Sequence, residues 1–502
     1  MSKGISILKA NLIANYASQL YVTLVGFAFV PLYVKYLGAE AYGLVGFFAT
    51  LQALFNLLDL GLSATIARET ARYHGGAITD LDYRRLFRVL SLIFFTIALF
   101  AGVLLFMFSD VITDHWLNVE SLSREDVLLA VKVMAVSVSL RWMSGLYRGV
   151  LTGAEKLVWL SGFNALITSL RFIGVFGSMW LWGYSPEIFF IHQLIVAIFE
   201  FAGLLIASRA LLPSLVGTKV SIGFSFYALR NRVNFALSIA FTSAVWTLVT
   251  QADKLILSGI LPLSDYGYFT LAVLVAGGIL VITGPISGVL LPRMSRLHAE
   301  NRNEELINLY RRATQWVSLI AVSGVVTLFV CAESLLIAWS GNVELSANAA
   351  PILKLYAIGN GFLAIAAFPY YLQYARGNLH YHLVGNIVML FVLIPIMVFV
   401  ATYYGAIGAG WVWLGVNGLY LLTWLAYVHQ KLEPGLHWKW LRQDVVAISL
   451  PAVGVGIFAT FIHIPLTNRF EMLLYTAAIG AMTMAATALF SQSVRNKILN
   501  HG

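Results

Sequence analysis

Apolar positions in this chain are gathered into long runs separated by short polar breaks. Fourteen runs can be delimited, at about 12–34, 42–66, 86–109, 127–150, 157–182, 187–210, 234–257, 263–292, 312–338, 350–372, 383–404, 406–429, 445–464 and 470–491. Each is close to the ~20 residues that a helix needs to cross a hydrocarbon layer about 30 Å thick. Helix is the expected state, because lipid offers no partner to backbone groups at an open strand edge. The fold class expected is an all-α polytopic membrane protein with about 14 transmembrane helices. The first run is not read as a cleaved leader, since it is too long, carries Asn15 and Gln19, and has no small-x-small cleavage site.

The breaks alternate in charge. If the N-terminus is inside, most of the 32 basic residues fall on the inner side, including Lys3 and Lys9, Arg68 to Arg88, Arg209 to Arg232, Arg293 to Arg312, Lys431 to Arg442, and Arg495 with Lys497. The longest outer loop, about 110–126, is instead acidic, with Asp110, Asp114, Glu120, Glu125 and Asp126 against Arg124. Basic residues accumulate in cytoplasmic loops, so both termini are expected in the cytoplasm. The long break from Leu211 to Asn234 follows six spans and suggests lobes at 1–215 and 216–432, with an additional helix pair and cytoplasmic tail at 433–502. The two sixes share a short repeat. Ala41-Tyr42-Gly43 opens the second span, which ends at Arg68-Glu69, and Asp265-Tyr266-Gly267 opens the eighth, which ends at Arg293-Met294-Ser295-Arg296. Repeats separated by six spans have the same orientation, so an axis along the membrane normal would relate them, as in transporters that hold substrate between their halves.

Composition agrees and narrows the class. The 502 residues are 60% hydrophobic and 11% charged, against about 45–50% and 25% in soluble domains. A water-soluble enzyme, a disordered chain and a porin-like barrel are excluded. The single cysteine, Cys331, allows no intrachain disulfide. A net charge of +9 invites a nucleic-acid reading. That charge is spread over cytoplasmic segments that touch anionic lipid, and no loop could form a nucleic-acid-binding domain. No GxxxxGK[ST] loop, HExxH motif or carboxylate cluster occurs, so neither an ATPase site nor a metal cofactor is expected.

Ionisable groups within spans cost about 2.5–3.5 kcal/mol each and usually pair or line a cavity. Arg141 and Arg148 lie seven apart on the fourth span, on one helix face, and Arg171 is near the middle of the fifth. Together they form a cationic strip suited to phosphate or pyrophosphate, which the arginine fork grips in bidentate fashion. The plainer readings are that Arg148 anchors topology and that Arg171 pairs with Glu200 of the sixth span. Asp59, in Leu57-Leu58-Asp59-Leu60-Gly61-Leu62, is a candidate cation site or a hydrogen-bond acceptor. On a continuous helix Arg68 would face away from it. Asp253 and Lys254, near the outer end of the seventh span, point about 100° apart on a helix and are not expected to neutralise each other. Asn11, Asn15 and Gln19 form an amide stripe that suits sugar hydroxyls or helix contacts.

Leu58-Asp59-Leu60-Gly61-Leu62 with Ile66-Ala67-Arg68-Glu69 resembles the second-helix signature of polysaccharide repeat-unit flippases (O-antigen, Wzx-type). These belong to the multidrug/oligosaccharidyl-lipid/polysaccharide exporter superfamily. Gln251 to Gly259 with Tyr266-Gly267-Tyr268-Phe269, and Gly149 to Lys156, are similar to further segments of that family. The resemblance covers about 1–430, and it implies alternating-access transfer of an undecaprenyl-diphosphate-linked oligosaccharide between leaflets of the bacterial cytoplasmic membrane. It also implies coupling to H+ or Na+, with Asp59, Glu200 and Asp253 as candidate carboxylates, and no other cofactor. Arg141, Arg171, Arg148, Arg68 and Lys254 are then the cationic substrate contacts, and Asn11, Asn15 and Gln19 the sugar contacts. Membrane lipids and the polymerase and chain-length proteins of the same pathway are the implied partners. The first-helix arginines typical of the peptidoglycan-precursor flippase have no counterpart here. A multidrug extruder of the same fold would favour acidic groups in its cavity, and a membrane-embedded polymerase or ligase would carry a long outer loop, which this chain lacks.

Overall fold

In the computed structural model, residues 2–59, 61–213, 227–462, 464 and 466–490 are described. The expected boundary at 215/216, together with Leu60, Lys219, Arg495 and Lys497, lies outside them, as do the side chains of Lys3, Lys9, Arg230 and Arg232. The described residues are helical, with no β-strand among them. Twelve helices among them are long and apolar enough to cross a membrane. Helix Tyr227–Ile260, of 34 residues, is a further segment of that length. Segment His380–Leu432 counts once among the twelve, but Gly405 interrupts it at φ 57°, ψ −146° and makes two crossings of it. The described residues are thus consistent with about 14 crossings, and the chain is an all-α polytopic membrane protein.

Helix starts are set by local chemistry. Thr79, Ser123, Ser185 and Asn342 each accept a hydrogen bond from a backbone N–H three residues on. Acidic residues follow in the first turn of each helix, where the positive end of the helix dipole favours them. In the loop before Arg124–Gly153, Arg124 bonds Asp110 at 2.9 Å and Asp114 at 2.7 Å. Its hydrogen bond holds the Asp114 carboxyl below the usual range.

The described residues fall into two compact units, Met1–Gln251 and Ala252–Gly502. In the first, helix Arg124–Gly153 is central and packs against Ala39–Phe55, Leu62–His74, Asp80–Met107 and Pro186–Arg209. In the second, helix Val343–Ala375 takes that place among Leu263–Thr283, Pro285–Ala299, Asn303–Val330 and His380–Leu419. These are the fourth and tenth spans, equivalent positions in a six-plus-six repeat. The final pair, Ala447–Phe461 and Arg469–Phe490, packs on Asn303–Val330 within the second unit. At one end of that pair Asp444 accepts from Arg311 at 2.6 and 3.1 Å and from Gln315 at 2.7 Å.

The second run differs from the continuous helix expected over 42–66. Its helix ends at Phe55, a 3-10 turn spans Asn56–Asp59, and a separate helix Leu62–His74 starts after Gly61 in the left-handed region at φ 71°. The eighth run breaks at the corresponding place, between Leu263–Thr283 and Pro285–Ala299, where Pro285 supplies no N–H to continue the ladder. Arg68 therefore cannot be placed relative to Asp59 by helical phase, which corrects the opposite-face expectation.

Gly145, Gly149 and Gly153 put a stripe of small residues on the fourth span against Leu62–His74. A Cβ on Gly149 would stand 2.5 Å from Ile66 Cγ2 and 2.8 Å from the Ser63 carbonyl oxygen, and one on Gly153 would run into the Ala67 carbonyl. Helices in lipid associate through such close backbone approach. Gly149→Val is expected to lower stability by about 1–3 kcal/mol through overpacking. Gly162→Ala, where a Cβ meets nothing within 4 Å, is expected to be neutral. Thermal unfolding of the detergent-purified variants measures both.

Candidate functional site

The first unit contains a cavity of about 410 Å³ lined by Gln52, Phe55, Asn56, Asp59, Ser63, Val138, Arg141, Trp142, Gly145, Arg148, Arg171 and Glu200. The second, fourth, fifth and sixth spans all contribute to it. Gly145 lies between Arg141 and Arg148 on the same helix face, and its lack of a side chain leaves the space open. A Cβ there would stand 3.0 Å from the Ser63 hydroxyl. That hydroxyl donates to Asp59 Oδ1 at 2.6 Å, and the Ser63 N–H donates to the same oxygen at 3.2 Å. Asp59 is thus held at the broken end of the second span as a hydrogen-bond acceptor facing the cavity.

Arg171 reaches the cavity from an irregular turn. The fifth span runs as α-helix from Leu157 to Ser169, widens to a π-turn over Leu170–Gly174, and resumes at Val175–Trp182. A π-turn loosens the backbone ladder, and such turns recur at functional sites. Carbonyls of the turn are satisfied from neighbouring spans. Leu170 accepts from His192 Nε2 at 2.9 Å, and Arg171 accepts from Gln193 Nε2 at 3.1 Å and from the Tyr33 hydroxyl at 3.3 Å. Tyr33, His192 and Gln193 therefore fix the aim of Arg171. They also place His192 as a packing residue, bonded on its other side to the Ser178 hydroxyl at 2.8 Å.

The charged side chains form one network. Glu200, only 3% exposed, accepts from Arg148 through Oε1 and from Arg171 through Oε2. Arg148 also donates to Asn164. Arg141 donates to Gln193 Oε1 at 2.8 Å and lies with its guanidinium carbon 4.8 Å from the centre of the Phe48 ring, a cation–π contact that favours the charged form. Arg141 Nε and Arg171 Nε are buried without a hydrogen-bond partner. Three guanidiniums face two carboxylates, so the cavity keeps an excess of one positive charge. An anion with several acceptor oxygens is the ligand that this arrangement suits. Among the described residues no group of His, Cys, Asp or Glu could hold a metal ion.

The structure brings together Arg141, Arg148, Arg171, Asp59 and Glu200. It reconciles two readings of Arg171, which both pairs with Glu200 and lines the cavity. Arg68, on Leu62–His74, is exposed and is not among the lining residues. The amide stripe does not act as a unit. Asn11 is buried and donates to the Glu155 carbonyl at 3.3 Å, gluing the first helix to the loop after the fourth, whereas Asn15 and Gln19 are exposed. Asp253 and Lys254 belong to the second unit. Contrary to expectation they do pair, Lys254 Nζ to Asp253 Oδ1 at 3.3 Å. The helical angle applies to the Cβ directions, and the four-carbon lysine stem folds back across it. Asp253 Oδ2 also accepts from the Tyr356 hydroxyl at 2.8 Å.

Sequence reasoning passed over Gln52, Asn56, Ser63, Asn164 and Gln193. A signal for them existed. Asn164 and Arg171, like Gln193 and Glu200, are seven residues apart, repeating the spacing of Arg141 and Arg148 on three successive spans. Gln52, Asn56 and Asp59 follow four and three apart on the second.

Removing the carboxylate leaves two guanidiniums short of a counter-charge, a loss of about 3–5 kcal/mol for a fully buried pair. The arginines are only partly buried, so Glu200→Gln is expected to cost somewhat less. The variant should show a lowered thermal midpoint in detergent while keeping its helical circular dichroism.

Comparison with known proteins gives a consistent assignment. A family model described as polysaccharide biosynthesis protein matches residues 8–298, more than half of the chain. A Shigella flexneri protein named "Putative O-antigen transporter" is 22% identical over 440 residues, covering 84% of this chain and 97% of that protein. Among solved structures, the chain is similar to the lipid II flippase MurJ in an inward closed conformation, with TM-score 0.73 and 16% identity over 97% of this chain and 99% of that one. It is also similar to an inward-facing multidrug resistance MATE family transporter of the MOP superfamily, with TM-score 0.65 and 14% identity over 84% and 99% of the two chains. At these identities the structural likeness bears on the fold. The chain is a multi-pass membrane protein that belongs to the polysaccharide biosynthesis protein family.

Proposed function

We propose that this protein is a flippase that moves an undecaprenyl-diphosphate-linked oligosaccharide across the bacterial cytoplasmic membrane, for assembly of O-antigen or a related surface polysaccharide. The observation that carries the reading is the meeting of Arg141, Arg148 and Arg171 in one cavity with an excess of positive charge. A diphosphate diester carries two negative charges and several acceptor oxygens, which guanidinium forks bind well. Family membership and the fold shared with flippases and MOP-superfamily transporters support a transporter over an enzyme. A cavity lined by arginines also weighs against the multidrug reading, because cationic drugs would be repelled there.

In this mechanism the arginines capture the diphosphate, the sugars occupy hydrated space, and the prenyl tail stays in lipid. Asp59, Glu200 and Asp253 are the carboxylates through which H+ or Na+ would bias the access equilibrium, and an ion does this only by binding one state more tightly than the other. Both termini lie in the cytoplasm in this reading, and the polymerase and chain-length proteins act on the product.

The test is complementation of a bacterium that lacks its own repeat-unit flippase. Surface polysaccharide should reappear and lipid-linked intermediate should cease to accumulate. Arg171→Glu should abolish this while leaving the protein in the membrane, as read by immunoblot of membrane fractions. Continued accumulation with several different repeat units, at normal expression, would overturn the assignment and direct attention to drug efflux.

A further inference from the structure

Glu200 is placed unusually for a simple neutralising partner. One carboxylate divides its two oxygens between Arg148 and Arg171, which reach it from different spans. The arginines remain partly open, with 33% and 23% of their side-chain surface accessible, whereas Glu200 is nearly closed off. The other donors around it are held by neutral groups. Asn164 takes a second bond from Arg148, and Gln193 and Phe48 take Arg141. Asp59, across the cavity, is engaged by Ser63. The Nε atoms of Arg141 and Arg171 are buried and unpartnered. A site built only to neutralise buried charge would not leave two guanidinium donors idle beside a shared carboxylate.

We propose that Glu200 is a resident counter-anion that competes with the phosphates of the carried lipid for Arg148 and Arg171, and so sets how tightly the cavity holds its substrate. The inference rests on the proposed function. A translocated ligand must bind well enough to load and weakly enough to leave. Three arginines with no internal competitor would hold a diphosphate in a low-dielectric cavity with little tendency to release it. With Glu200 present, loading exchanges one anion for another on the same guanidiniums, and unloading returns the carboxylate to them. The empty carrier therefore never leaves two cations unpaired in the cavity, and the bound and empty states stay close in free energy.

The experiment uses the full-length protein in lipid nanodiscs and farnesyl methyl diphosphate, a short diester with two negative charges, as the probe. Binding is measured for wild type, Glu200→Gln, Glu200→Asp and Arg171→Gln, with folding checked by thermal unfolding and size-exclusion profile. Glu200→Gln should bind roughly tenfold more tightly than wild type, the change expected when one competing charged hydrogen bond is removed. Glu200→Asp, too short to reach both arginines, should shift the same way by less, and it decides the question if the glutamine variant does not fold. Arg171→Gln should lose roughly tenfold or more. Weaker binding in the folded Glu200 variants, with wild type binding and Arg171→Gln failing, would show Glu200 to be a brace for the arginines. That result overturns this inference alone. Wild-type binding no tighter than that of Arg171→Gln would overturn both this inference and the diphosphate reading of the cavity.

Discussion

Charge inside a low-dielectric layer must find a partner, and the first unit is organised around one such partnership. Glu200 on the sixth span holds Arg148 of the fourth and Arg171 of the fifth. Around it the remaining geometry follows. The fifth span opens into a π-turn so that Arg171 can face inward, and the carbonyls of that turn are claimed by Tyr33, His192 and Gln193. The fourth span gives up side chains at Gly145, Gly149 and Gly153, which brings it against the helix after the second-span break and leaves room beside the arginines. Polar residues in these spans therefore both pack the helices and line the cavity.

Much of this was legible in the sequence, and what was not has identifiable causes. Span number and helical class follow from apolar run length, which depends on bilayer thickness and little else. The joint approach of Arg141 and Arg148 follows from their spacing of seven. The breaks near Asp59 and Gly284 were missed because hydropathy averaged over a run does not register backbone direction, although Gly61 and Gly284-Pro285 stood there as readable turn signals. The pairing of Asp253 with Lys254 was misjudged because Cβ geometry says little about where a long lysine chain ends. The polar partners Asn164 and Gln193 stood at readable positions, but neutral amides carry too small an insertion penalty to draw notice beside arginines.

The two units repeat more than a motif. Each has its fourth member at the centre, spans four and ten, and each breaks its second member, spans two and eight, at a glycine. Tyr42 and Tyr266, matched in the sequence repeat, are both buried. Among the described residues the arginine cluster has no counterpart in the second unit, however. Arg141, Arg148 and Arg171 cluster in the first unit, while the second offers the Asp253, Lys254 and Tyr356 group, with Trp413 stacked on Tyr356 and donating to Asn360 at 3.0 Å. Two similarly arranged units thus hold different chemistry, as befits a fold that does not itself dictate its sites.

The shared carboxylate also has a bearing on how the chain is made. Arg148 leaves the ribosome 52 residues before Glu200. At bacterial synthesis rates of about 5–20 residues per second, roughly 3–10 s pass before its partner exists. During that interval the fourth and fifth spans carry arginines without their carboxylate, each at an insertion cost of about 2.5–3.5 kcal/mol, and the sixth follows with the opposite charge. That cost is offset when the sixth span is complete and its carboxylate pairs with both arginines. The order of helices along the gene is in this sense part of the energetics of the site.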